Sequence, residues 1–182
     1  MALRWADGRR RPLAAKVAHA RQPSCDPLDG GNEPVSDDES PFWAAARGDV
    51  PPPPAAKLLG WKVLEARRGS GRIRVQFEAT QEFTNPMGNV QGGFLAAMLD
   101  DTLGPALATT FEAQEFAPTL ELKVNFLRPA KPGTIFGTGW VVHRGGSVAF
   151  LQGELHDAAG DLLATATATA RLLRLEPRAF ER

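Results

Sequence analysis

Between Trp61 and Leu173 the chain repeatedly alternates apolar and polar residues. In RIRVQFEA (residues 72–79), Ile73, Val75 and Phe77 alternate with Arg72, Arg74, Gln76 and Glu78, the period-two pattern of a strand with one buried face. WKVLEARR (61–68) precedes it across Gly69-Ser70-Gly71, so the pair reads as a hairpin. In TLELKVNFLRPA, Leu120, Leu122, Val124 and Phe126 share a face, and Pro129 ends the strand. TIFGTGWVVH and VAFLQGELHD flank Arg144-Gly145-Gly146-Ser147 as a second hairpin, and Asp157–Asp161 holds a third turn. The last strand, LLATATATARLL, alternates alanine with threonine, and its shallow alanine face admits a close neighbour.

The period changes in one long stretch, roughly Gly92–Thr109, which reads as a helix with a kink at Gly104-Pro105. A short helix is expected at PFWAAARG, with Ser40 as N-cap, Pro41 at the first position, Phe42 and Trp43 as anchors, and Gly48 as the stop. The run Pro51–Pro54 predicts an extended connector. Two strands, one long helix, then four strands in hairpin order predict an antiparallel sheet whose apolar face that helix covers. This is an α+β chain in the hotdog arrangement, a sheet wrapped around one long central helix.

Composition narrows the function. With 182 residues, 43% of them hydrophobic, the chain can bury one proper core. Lys plus Arg equals Asp plus Glu at 21 each, so the net field favours neither nucleic acid nor an anionic membrane. The single cysteine, Cys25, excludes an internal disulfide and fits a reducing, cytoplasmic compartment. His19, His143 and His156 lack metal-ligand spacing, so no metal site is expected. No apolar run approaches a membrane span. The start is basic up to Arg21, then acidic from Asp26 to Glu39, without apolar periodicity. Residues 1–40 therefore read as a disordered or dispensable tail and 41–182 as a single domain; Asp7 and the missing amphipathic pattern argue against an organelle presequence.

The candidate chemistry lies in NPMGNVQGGFLAAMLDDTLGPALATT (85–110). Gly92 and Gly93 stand where loop becomes helix, and the first helical turn leaves backbone N–H groups free to meet negative charge. A glycine there lets a ligand approach the N–H, the requirement of an oxyanion hole; a plain glycine hinge is the competing reading. Gly93, Ala96, Ala97, Asp100 and Gly104 line one narrow face, so Asp100 ends a small-residue stripe and takes the chemical role. Asp101, on the next face, is assigned the local task of satisfying backbone loosened at the kink. Eight helical residues separate Gly92 from Asp100, a rise of about 12 Å. An oxyanion donor and a base must both lie about 3 Å from one reacting group, so a shared site requires two subunits, either a homodimer or a dimer of dimers.

These residues resemble the PaaI-like hotdog acyl-CoA thioesterases. Asn85, Gly88, Gly92, Gly93 and Asp100 match that family's pattern in order and spacing, and LRPAKPGT matches its following strand end. The similarity covers roughly Pro51 to Arg174. It implies an enzyme that hydrolyses an acyl-CoA to free acid and coenzyme A, with no cofactor beyond the coenzyme of the substrate. The Gly92 N–H would polarise the carbonyl, and Asp100 would act as general base or nucleophile. Asn85 would hold the thioester or the water, and Thr119 would orient that water from the partner side. Gln91 replaces the family histidine; it hydrogen-bonds but carries no proton near neutral pH, and is expected to buttress the loop. Thr119 also suits any strand as a β-branched residue, and its face relative to the site stays open. Gly93 joins the substrate-binding set, and Arg128, Lys131 and Arg144 sit at strand ends where they could meet coenzyme A phosphates.

Two competing functions remain. A non-catalytic acyl-CoA sensor of the kind that regulates transcription carries a DNA-binding helical module, and residues 1–40 show none. A hotdog hydratase pairs a histidine with an acid, and no histidine lies in this loop or helix.

Overall fold

A computed structural model describes residues 40–112 and 114–175. The expected tail lies outside these residues except for Ser40, as do Cys25 and His19. Helix α1 (Pro41–Arg47) forms as its caps dictate: the Ser40 hydroxyl accepts from Trp43 N, and Gly48 closes the helix in the left-handed conformation. The proline run does not stay extended throughout, because Pro54 opens a second short helix, α2 (Pro54–Leu58). Strands β1 (Lys62–Ala66) and β2 (Arg72–Ala79) make the expected hairpin. A 3₁₀ turn (Gln81–Phe83) leads into the loop before the long helix α3 (Gly92–Ala108).

After α3 come β3 (Glu115–Phe116), β4 (Thr119–Phe126), β5 (Gly133–Arg144), β6 (Val148–Asp157), β7 (Leu162–Arg171) and β8 (Leu173–Arg174). The main antiparallel sheet has six strands in the order β1-β2-β5-β6-β7-β4, while β3 and β8 pair separately. Strands β5, β6 and β7 are the sequential meander that the turns predict. Strand β4 breaks the hairpin order. It crosses over to pair with β7, and β5 pairs with β2 instead. That crossover leaves β4 on an open edge of the sheet.

Helix α3 lies across the apolar face and buries Leu95, Met98, Leu99, Thr102, Leu103, Ala106 and Leu107. The alanine face of β7 is buried beneath it, Ala164 to Ala170, as its alternation predicts. The closest approach, however, is over β5. A Cβ at Gly137 would run into Thr102 Oγ1, and one at Gly139 would lie 3.0 Å from Thr102 O. Glycines in a strand interior here serve helix–sheet contact rather than bending.

Pro105 continues the helix but brings no N–H to the carbonyl of Asp101, four residues earlier. The indole of Trp61 replaces it, with Nε1 donating to Asp101 O at 3.0 Å. Asp101's own carboxylate does not perform the expected kink repair: its Oδ2 is buried without a hydrogen-bond partner among the described residues.

Candidate active site

The loop before α3 is held by the side chain of Asn85. Its Oδ1 accepts from Met87 N at 2.9 Å and Asn89 N at 3.3 Å, so that oxygen is committed to the loop and its amide NH2 is the group left for a ligand. Gln91 is exposed and is the N-cap residue of α3, without a side-chain cap. Its backbone carries the buttressing expected of its side chain: the N–H donates to Phe83 O, and the carbonyl accepts from Phe94 N. The N–H groups of Gly92 and Gly93 find no acceptor among the described residues. They are the orphan donors of a helix start, carried on residues without side chains.

An open cleft of about 380 Å³ adjoins this helix start. Asn85, Asn89, Gly92, Leu95, Phe126 and Arg128 are among its lining residues. Arg128 is anchored at the cleft edge, with Nη1 donating to Leu162 O at 3.1 Å and lying 3.7 Å from Asp161. Lys131 is exposed nearby in sequence. Arg144 is not a free strand-end cation: it bonds the carbonyl and hydroxyl of Thr110 and pairs with Glu115 at 2.5 Å. Burial, the largest single influence, pushes the Glu115 carboxyl up, but the Glu112 N–H, Arg144 and Arg174 together hold it below the ordinary carboxylate range. Arg144 thus ties the β5–β6 turn to the chain after α3.

Midway along the helix, Asp100 is exposed and Thr119 Oγ1 donates to its Oδ1 at 2.8 Å. Both belong to the same chain, so hydroxyl and carboxylate stand side by side on one copy. Simple alternation would put Thr119 on the face opposite Leu122 and Val124. A bulge between Thr119 and Glu121 inserts Leu120 as an extra residue, and Leu120 is left 61% exposed. Below the bulge the phase reverses. Thr119 lies opposite Ala170 and Leu122 opposite Ala168, both on the buried alanine face of β7. The bulge re-aims one hydroxyl onto the carboxylate.

The neighbouring Asp101 behaves differently. Its carboxyl is pushed up to about 6 from 3.8, first by burial and then by the charge of Asp100. Sequence reasoning missed two participants, Trp61 and Phe126. Both carry ordinary strand-core signals, and only the tertiary arrangement sets one at the kinked helix and the other over Gly92.

Comparison with known proteins bears on the family and the fold. Residues 87–164, which hold Gly92, Asp100 and Thr119, match the Thioesterase superfamily. A protein of Saccharolobus solfataricus named as an esterase is 32% identical over 123 residues, covering 68% of this chain and 86% of that one. Human acyl-coenzyme A thioesterase 13 is 28% identical over 120 residues, covering 64% and 83% respectively. The crystal structure of a phenylacetic acid degradation-related protein from Ralstonia eutropha, named as a thioesterase, superposes with a TM-score of 0.68 at 39% identity. That superposition covers 71% of this chain and 98% of the other. Sheet order, helix placement and relatives converge: the chain belongs to the thioesterase superfamily, as a PaaI-like hotdog protein.

Proposed function

We propose that the protein hydrolyses acyl-CoA thioesters at sites shared between two copies of the chain. The observation that carries this reading is the arrangement of α3 and β4. Thr119, at the start of β4, bonds Asp100, and Phe126, at the end of β4, packs on Gly92. Helix and strand therefore run in opposite directions, with a carboxylate–hydroxyl pair at one end and unpaired amides beside a cleft at the other. The strand is an open edge, and it leaves Leu120 and Phe126 61% and 54% exposed. Apolar edges of this kind are normally covered. A two-fold axis through the middle of β4 would pair it with its own copy and bring each Asp100–Thr119 pair to the partner's Gly92.

In the resulting site the thioester carbonyl oxygen accepts from Gly92 N–H, assisted by the amide NH2 of Asn85. Thr119 and Asp100 hold a water, and Asp100 takes its proton as the oxygen attacks. The oxyanion collapses, the carbon–sulfur bond breaks, and the thiolate recovers a proton from Asp100, giving acid and coenzyme A. Asp100 attacking directly would reach the same products through an anhydride. Coenzyme A enters only as part of the substrate, and exposed Lys131 with Arg128 offers cations for its phosphates. The name of the human relative supports the substrate class.

Thiol release from a broad acyl-CoA panel tests the reading. The wild type turns over at least one member, and Asp100→Asn loses on the order of 10²-fold or more while remaining folded. A panel without thiol release would leave a non-catalytic acyl-CoA binder.

A further inference from the structure

The cleft at Gly92 has a wall whose position is unusually well defined. A Cβ built on Gly92 would lie 3.0, 3.2 and 3.4 Å from Cζ, Cε2 and Cε1 of Phe126, so the ring is seated directly against the glycine. The same ring is 54% exposed and lines the cleft with Leu95 and Leu127. A large aromatic side chain at the end of an inward-facing strand register, opposite buried Ala164, would ordinarily be covered. Here one side rests on Gly92 and the rest faces the cleft.

We propose that Phe126 determines specificity at the acyl carbon next to the thioester, its ring admitting straight chains and excluding branched ones. This rests on the hydrolase reading above, in which the substrate carbonyl must reach Gly92 N–H. With the acyl side of the thioester turned toward the ring, a carbonyl that does so sets its α-carbon against the aromatic wall. A methyl branch at that carbon meets the aromatic wall, whereas the distal part of a straight chain points past it into the open cleft. One methyl against a fixed wall is enough to discriminate tenfold or more.

The test compares butyryl-CoA with isobutyryl-CoA, of equal carbon number, on wild type, Phe126→Leu and Phe126→Ala. The wild type favours the straight chain by at least about tenfold in kcat/KM. Phe126→Ala narrows that ratio about tenfold, chiefly through isobutyryl-CoA, and Phe126→Leu narrows it less. A ratio unchanged in Phe126→Ala overturns the assignment, as does a parallel fall for both substrates, which is what a merely structural ring would give. Thermal unfolding of each variant separates the latter from loss of fold. Turnover with an unaltered ratio removes this inference alone. Absence of thiol release by the wild type from every acyl-CoA tried removes the hydrolase reading and this one with it.

Discussion

Asp100 and Asp101 are sequence neighbours in opposite circumstances. Asp100 is exposed and paired with a hydroxyl; Asp101 keeps Oδ2 buried without a hydrogen-bond partner among the described residues. An acid with a raised folded value keeps a proton that the unfolded chain has already released. Its stabilising contribution is complete below about pH 4 and is lost as the pH rises through about 6. Asp101→Asn removes the buried charge without changing shape. Relative to wild type the variant should gain on the order of 1 kcal/mol at pH 7.5, a value discounted for partial solvent access, and almost nothing at pH 4. Urea unfolding at the two pH values measures this; a gain independent of pH would contradict it. Choosing Asp100 over Asp101 was possible from helix faces alone. The reason Asp101 stays idle was not, because it depends on an indole forty residues away.

Two element-level devices position the site, one on α3 and one on β4. The helix passes Pro105 because Trp61 supplies the missing donor to Asp101 O. Trp61→Phe keeps the ring and removes that donor, leaving a helix carbonyl unpaired, so it should cost about 1–3 kcal/mol in chemical denaturation. A cost near zero would mean that water replaces the indole freely. On β4, the bulge at Leu120 sets Thr119 on the face of Leu122. Deleting Leu120 removes the extra residue and leaves Thr119 opposite Ala170 in a regular ladder, so the hydroxyl should stay on Asp100. Thiol release should then stay within a few-fold of wild type, whereas Thr119→Ala should lower it about tenfold. Undiminished turnover in Thr119→Ala would separate Thr119 from the reaction. Periodicity and turn chemistry made nearly every strand legible, together with α1 and α3. A bulge and a crossover are invisible to them, since both are settled by which strand happens to lie alongside. That is why β4 was placed in hairpin order, and why the face of Thr119 stayed open.

At the scale of the molecule, the proposed function needs two groups that cannot meet within one copy. Gly92 and Asp100 lie at separate ends of an unbroken helical stretch, about 12 Å apart along its axis. The glycine–aspartate spacing was readable from sequence; the open edge of β4 that would bring two copies together was not. Complementation between two disabled chains tests this most directly. Asp100→Asn removes the carboxylate. Gly92→Pro removes the N–H at the first helical position and also displaces the Phe126 ring resting on Gly92, so it disables that half of the site while leaving Asp100 and Thr119 in place; the extended conformation of Gln91 (φ −66°, ψ 139°) suits a following proline. Each variant alone should be nearly inactive. Co-expressed in equal amounts, half of the dimers are mixed, and each mixed dimer holds one intact site and one doubly damaged site. Acyl-CoA hydrolysis should therefore recover to about a quarter of the wild-type rate. Recovery no greater than the sum of the two variants measured separately would contradict a site shared across the two-fold axis.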